Sequence, residues 1–334
     1  HVEESVLAGI VAGAMILPES RVAHPGRLDA LGAVLSLVGM LALVWAIKDF
    51  GKQASLVVPE AWAALALAVV SLGWFVARSL RSDQPLLDLR LFGSRQFSAG
   101  IIAALVTTFS LVAAMLLMAQ WLQIVNGSSP IEAGLRLVPA ALAAAVASVS
   151  APPLARLVGA RTVLSGGLVL AGIGMLVLGA APGGMSATVV MVSLLLVGIG
   201  MGSLAIGSAM IMGGTPQERA GNAGALEETS YELGGTLGVA VLGSISALAY
   251  RSELDGLPAL GGLDPSLAAQ AQESVGAAAA VADRLGLPAL AQAAGEAFTG
   301  SLQLSGWIGG GLILTMALVV FVLTPKGTSV SGGH

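Results

Sequence analysis

The chain has 334 residues, of which 56% are hydrophobic and 10% charged, with a net charge of −4 and a mean hydropathy of +0.89. A soluble domain carries about 25% charge, so the composition argues against an ordinary globular enzyme and for an all-α polytopic membrane protein, with no nucleic-acid partner implied. There is no cysteine, which removes disulfides, thiolate metal sites and cysteine nucleophiles.

A membrane span needs about 20 mostly apolar residues. The first apolar stretch, Ser5 to Leu17, is shorter than that and carries Glu3 and Glu4 where a signal peptide would be basic. Eight stretches are long enough: 31–48, 61–79, 97–125, 133–152, 162–181, 187–213, 223–250 and 302–323. Between the second and third lies the basic, amphipathic "RSDQPLLDLRLFGSRQ", which reads as a linker lying along the membrane. Pro152 and Pro153 are expected to end the fourth span, before a short turn in which Arg156 and Arg161 flank Gly159. That turn is either ordinary positive anchoring or a conformational latch. Gly198 and Gly202 have the spacing of a close-packing helix face. The segment 251–301 is too polar to cross and reads as an Ala-rich helical cap or spacer broken at Pro288.

Lys and Arg fix the expected orientation. One set of loops holds ten of them (Arg21, Arg27, Arg78, Arg81, Arg90, Arg95, Arg156, Arg161, Arg219, Lys326), and the alternate set holds five (Lys48, Lys52, Arg136, Arg251, Arg284). The first set is expected on the cytoplasmic side, in a multi-pass protein of the cytoplasmic membrane.

The stretch "ALEETSYELGG" places Glu227, Glu228 and Glu232 at the cytoplasmic mouth of the seventh span. The apolar run that follows, Leu233 to Leu248, is only about 24 Å long at 1.5 Å per residue, and hydrocarbon is about 30 Å thick. The span must reach back through Glu232. Glu228 and Glu232 are at i and i+4 and share a face, whereas Glu227 is turned aside above Tyr231. Adjacent carboxylates in an apolar setting hold protons readily and select cations when ionised, so intramembrane acids read as functional. The competing reading leaves Glu227 and Glu228 solvated at the surface, capped by Arg219. Thr107, Thr108, Ser110, Gln120 and Gln123 could line a pathway or could bond their own helix backbone. The three histidines, His1, His24 and His334, lie at the ends or in a loop, so no metal site is expected. No phosphate-binding, zinc-protease or hydrolase motif occurs, so no enzymatic activity is expected.

Four stretches carry a family resemblance: "LPESR…GRLDALGAVLSLVGMLALVWAI" (17–47), "PLLDLRLFGSRQFSAG" (85–100), "AQWLQIVNGSSPIEAGLRLVPAAL" (119–142) and "TPQERAGNAGALEETSYELGGTLGVAVLGS" (215–244). The chain resembles the major facilitator superfamily, in particular the fourteen-helix drug:proton antiporters of the EmrB/QacA type. The resemblance implies a partial sixth helix and loop in 1–30, two inserted linker helices in 31–80, a cytoplasmic linker in 81–96, a six-helix C-terminal bundle in 97–323 and a tail in 324–334. It implies that Glu227, Glu228 and Glu232 couple protons or recognise lipophilic cations such as quaternary ammonium compounds. A proton gradient would serve in place of a cofactor, and the bilayer and a missing N-terminal six-helix half would be the partners. It also implies that "LARLVGAR" (154–161) is the weaker copy of the superfamily's gating loop. Two other readings stay open: export of a neutral drug, lipid or metabolite with the acids serving protons alone, and a non-transporting scaffold that pairs with another chain.

Overall fold

A computed structural model describes residues 29–53, 58–82, 85–181, 184–255, 258 and 260–327. The short stretch Ser5 to Leu17 and most of the expected tail lie outside them. Runs of Leu, Val, Ala and Gly without charge make helix the only economical structure in lipid, where each backbone N–H and C=O must be paired within its own segment. Among the described residues, eight helical segments are long and apolar enough to cross a membrane, each overlapping one of the eight stretches expected from the sequence.

Helices α1 (Ala30–Gln53) and α2 (Pro59–Arg81) form a hairpin. Arg78 closes it through an ion pair of 2.9 Å with Asp29. The Gly32 N–H and the Arg78 guanidinium hold the Asp29 carboxyl below its ordinary range. A short 3-10 turn, Leu89–Gly93, leads into α3 (Arg95–Gln120), which ends in a π-helical turn, Trp121–Val125. Then come α4 (Pro130–Val158), α5 (Ala160–Ala180), α6 (Ala187–Gly202) and α7 (Leu204–Gly213), the last two making one span broken at Ser203. Helix α8 (Ala220–Leu254) is followed by the short helices α9 (Pro265–Glu273) and α10 (Val275–Leu285), and by α11 (Pro288–Leu323).

Small residues let these helices approach closely, as membrane packing requires. Gly198 and Gly202 of α6 lie against Ala140 and Ala147 of α4, so that pair is a packing seam. Gly234 and Gly238 of α8 lie against Leu105 and Phe109 of α3, where an added Cβ would meet backbone. Hydroxyl groups add cross-links: Ser193 donates to the Gly174 carbonyl at 2.7 Å, and the Ser246 and Ser301 hydroxyls pair at 2.9 Å.

Two readings of the sequence need correction. Pro152 and Pro153 do not stop a helix, because α4 runs on to Val158 and ends at Gly159, whose φ of 88° is closed to other residues. A proline deletes its own N–H but leaves later turns able to pair, and the Gly159 N–H still donates to the Ala155 carbonyl at 2.9 Å. The last span also begins earlier than its apolar run. Pro288 opens α11 at its first turn, where its missing N–H costs nothing. The polar turns before Leu302 are helical because they pack into a cap with α9 and α10, where the Tyr250 hydroxyl donates to the Ala271 carbonyl at 3.0 Å.

Candidate functional site

Helix α8 has two long faces. Ala223, Leu226, Ser230, Gly234 and Gly238 recur every three or four residues and are buried. They form the seam toward α3 and the linker that precedes it. Nearly opposite runs a second stripe, Glu228, Glu232 and Thr236, spaced four apart and exposed. The same helical period that buries the glycines turns these two carboxylates outward.

The three glutamates therefore separate. Glu227 is 7% exposed, and the Tyr231 hydroxyl donates to its Oε1 at 2.8 Å. It is not a solvated surface acid. Glu228 and Glu232 are open, and among the described residues neither is in an ion pair. Arg219 does not cap them. Its guanidinium pairs at 3.0 Å with Asp88 of the linker. From Arg251, at the far end of the apolar run, back to Glu232 is about 28 Å at 1.5 Å per residue, so a hydrocarbon layer of about 30 Å would include Glu232 if it began at Arg251.

A cleft of about 370 Å³ lies over the Glu232–Thr236 part of this stripe, lined by Thr108, Val112, Tyr231, Glu232, Gly235, Thr236 and Val239. A larger one of about 920 Å³ continues along the same face between α8 and α1, sharing Thr236 and Val239 and reaching Lys48 and Arg251. The larger cleft sets a carboxylate, Asp49, beside the basic Lys48 and Arg251, whereas the carboxylate of the smaller cleft, Glu232, has no basic residue in the lining. A carboxylate beside hydroxyls and an aromatic ring in an apolar trough can take a proton or an organic cation, and the two compete for one charge.

The remaining candidates are dispersed. Thr108 reaches the acid cleft while its hydroxyl donates to the Ala104 carbonyl at 2.9 Å. Thr107 and Ser110 are buried and bond to the carbonyls of Ala103 and Val106. Gln120 is half-buried at the end of α3, and Gln123 is exposed in the π turn. Neither lines the acid cleft. Arg156 is exposed, Gly159 forms the sharp joint between α4 and α5, and Arg161 stacks 3.6 Å over the Phe321 ring. These three are apart from the acids. Thr236 went unnoticed in the sequence, although it continues the ladder of fours from Glu228 through Glu232. Asp88 and Asn222, which meet across the linker, gave no periodic signal.

No family model matches the chain. The chain is 34% identical over 319 residues to the multidrug efflux pump LfrA of Mycolicibacterium smegmatis, covering 94% of this chain and 62% of that protein. It is 31% identical to the methyl viologen resistance protein SmvA of Salmonella typhimurium, over 86% of this chain and 58% of that protein. It is 32% identical to the tetracenomycin C resistance and export protein of Streptomyces glaucescens, over 72% of this chain and 45% of that protein. The chain thus spans less than two thirds of the length of these relatives. Their names mark them as efflux and resistance proteins, a further match over 35% of this chain is to an MFS-type transporter of Bacillus subtilis, and the all-helical arrangement with eight candidate spans among the described residues is consistent with a major facilitator fold.

Proposed function

We propose that the chain is the C-terminal part of a proton-coupled multidrug exporter of the major facilitator superfamily, of the EmrB/QacA kind, working in the cytoplasmic membrane. Glu232, with Glu228, exchanges protons for a lipophilic cation. Glu227 supports the site from its buried bond with Tyr231. An N-terminal six-helix half would complete the transporter, since such proteins alternate access by rocking two bundles around a midplane site. One observation carries the reading: Glu232, an open carboxylate outside any ion pair among the described residues, borders a cleft with Thr108, Thr236 and Tyr231, one helical turn from the equally open Glu228 on the same face. A carboxylate left so at membrane depth is costly unless it is used.

The relatives support an export role through their names, which link them to multidrug efflux, methyl viologen resistance and tetracenomycin C export. The test is efflux of a cationic dye from cells making the full-length protein. Glu232→Gln should remove the pH-driven component. Retention of wild-type efflux in that variant would overturn the proposal.

A further inference from the structure

The cytoplasmic linker is fastened to the acid-bearing helix at two kinds of contact. Asp88 is 6% exposed, and its Oδ2 is 3.0 Å from a guanidinium nitrogen of Arg219, just before α8. The Asp88 backbone N–H donates to Asn222 Oδ1 at 3.2 Å, and Asp88 Oδ1 accepts from the Arg90 N–H at 3.2 Å. Around this polar knot a small apolar cluster, separate from the main core, joins Leu91 of the linker with Phe97, Ile211, Ala223 and Leu226. The contacts fall at Arg219, just before α8, and at 222, 223 and 226 on one stripe of its first turns. The next residues along the helix are Glu227 and Glu228.

We infer that Asp88, through Arg219 and Asn222, is a positioning residue that holds the first turns of α8 in register, so that the acids keep their cleft while α1 and α2, at the other end of the linker, stay tied to the same helix. A buried carboxylate that pairs with one charge and orients two backbone segments is expensive to place and specific once placed. A merely solvated linker would need none of these bonds. The role goes beyond the acids themselves but rests on reading α8 as the helix that carries the exchange site.

The experiment uses the full-length protein, otherwise free of cysteine, with Ala223→Cys as a reporter. Ala223 is fully buried in the linker seam, and the stretch described here has no cysteine of its own. In the purified protein, Asp88→Asn and Arg219→Gln should each raise labelling of Cys at 223 by a water-soluble maleimide by about threefold or more, as local opening exposes the seam. They should lower the maximal dye-efflux rate by about fivefold with little change in the half-saturating dye concentration. The exchange Asp88→Arg with Arg219→Asp should restore protection and most of the rate, which a general loss of stability would not allow. Unchanged labelling in both single variants overturns the inference, as does an exchange no better than the singles. If the singles do not accumulate in the membrane, recovery of assembled protein in the exchange decides by itself, and failure to recover overturns the pairing. Failure of the exporter reading shows elsewhere, as efflux that ignores Glu232→Gln while labelling still responds at 223.

Discussion

Helices α4 and α8 both flank the bundle and both leave a face uncovered, yet the two faces have opposite chemistry. The buried residues of α4 are Ala133, Ala140, Ala151 and Ala155, and its open side carries Leu135, Leu142, Val146 and Val149, the last 79% exposed. That is the surface a lipid chain accepts. The open side of α8 carries Glu228, Glu232 and Thr236. Exposure alone therefore marks nothing in this molecule. If α8 carries the exchange site as proposed, polarity at membrane depth marks it, because hydrocarbon tolerates Val149 freely and a carboxylate such as Glu232 only at a cost of several kcal/mol.

The comparison can be broken from either helix. The largest effect should come from Gly238→Leu on the buried seam of α8, where even a Cβ meets the Phe109 backbone. The helices must part, and we expect a loss of about 3 kcal/mol or more, read as a lower melting temperature of the purified protein. Next is Val149→Glu, which gives α4 the chemistry of α8 without its hydroxyls. Such a charge costs about 2.5–3.5 kcal/mol in the middle of a span, so the amount of protein in the membrane should fall. If Val149→Glu were neutral, the carboxylates of α8 would lose their claim to be exceptional.

Tyr231→Phe should have a smaller effect. It leaves the Glu227 carboxylate buried without its donor, at about 1–3 kcal/mol, and is measured by thermal melting beside Glu227→Gln, in which the phenol keeps an acceptor. The smallest effect belongs to Asp29→Asn in the α1–α2 hairpin. The Gly32 N–H and Arg78 depress the folded carboxyl's proton affinity, so its contribution is present above the ordinary aspartate value of about 3.9 and fades as pH falls through the depressed one. Melting of the variant and the parent should differ slightly at neutral pH and converge in strong acid.

Much of this was legible in the sequence, for physical reasons. Apolar runs of span length located the eight helices that, among the described residues, are long and apolar enough to cross, because length and hydropathy are what a span requires. Helix spacing alone paired Glu228 with Glu232 and set Glu227 aside. Three kinds of feature were not legible. Prolines 152 and 153 looked terminal because local propensity cannot see that later turns still pair. The start of α11 was hidden because its polar turns are stabilised by packing against α10 rather than by lipid. Asp88 looked like one more charge in a basic linker, since its partner Arg219 lies 131 residues away in the chain. Distant pairing leaves no period to read.

The central claim is that an open carboxylate on α8 exchanges a proton for a cationic cargo. Its most direct test is proton release on dye binding, followed in the purified full-length protein at neutral pH in weak buffer. The account predicts that adding a lipophilic cationic dye releases protons from the parent protein and from Glu227→Gln, and that Glu232→Gln releases markedly fewer. Equal release from Glu232→Gln and the parent would contradict it.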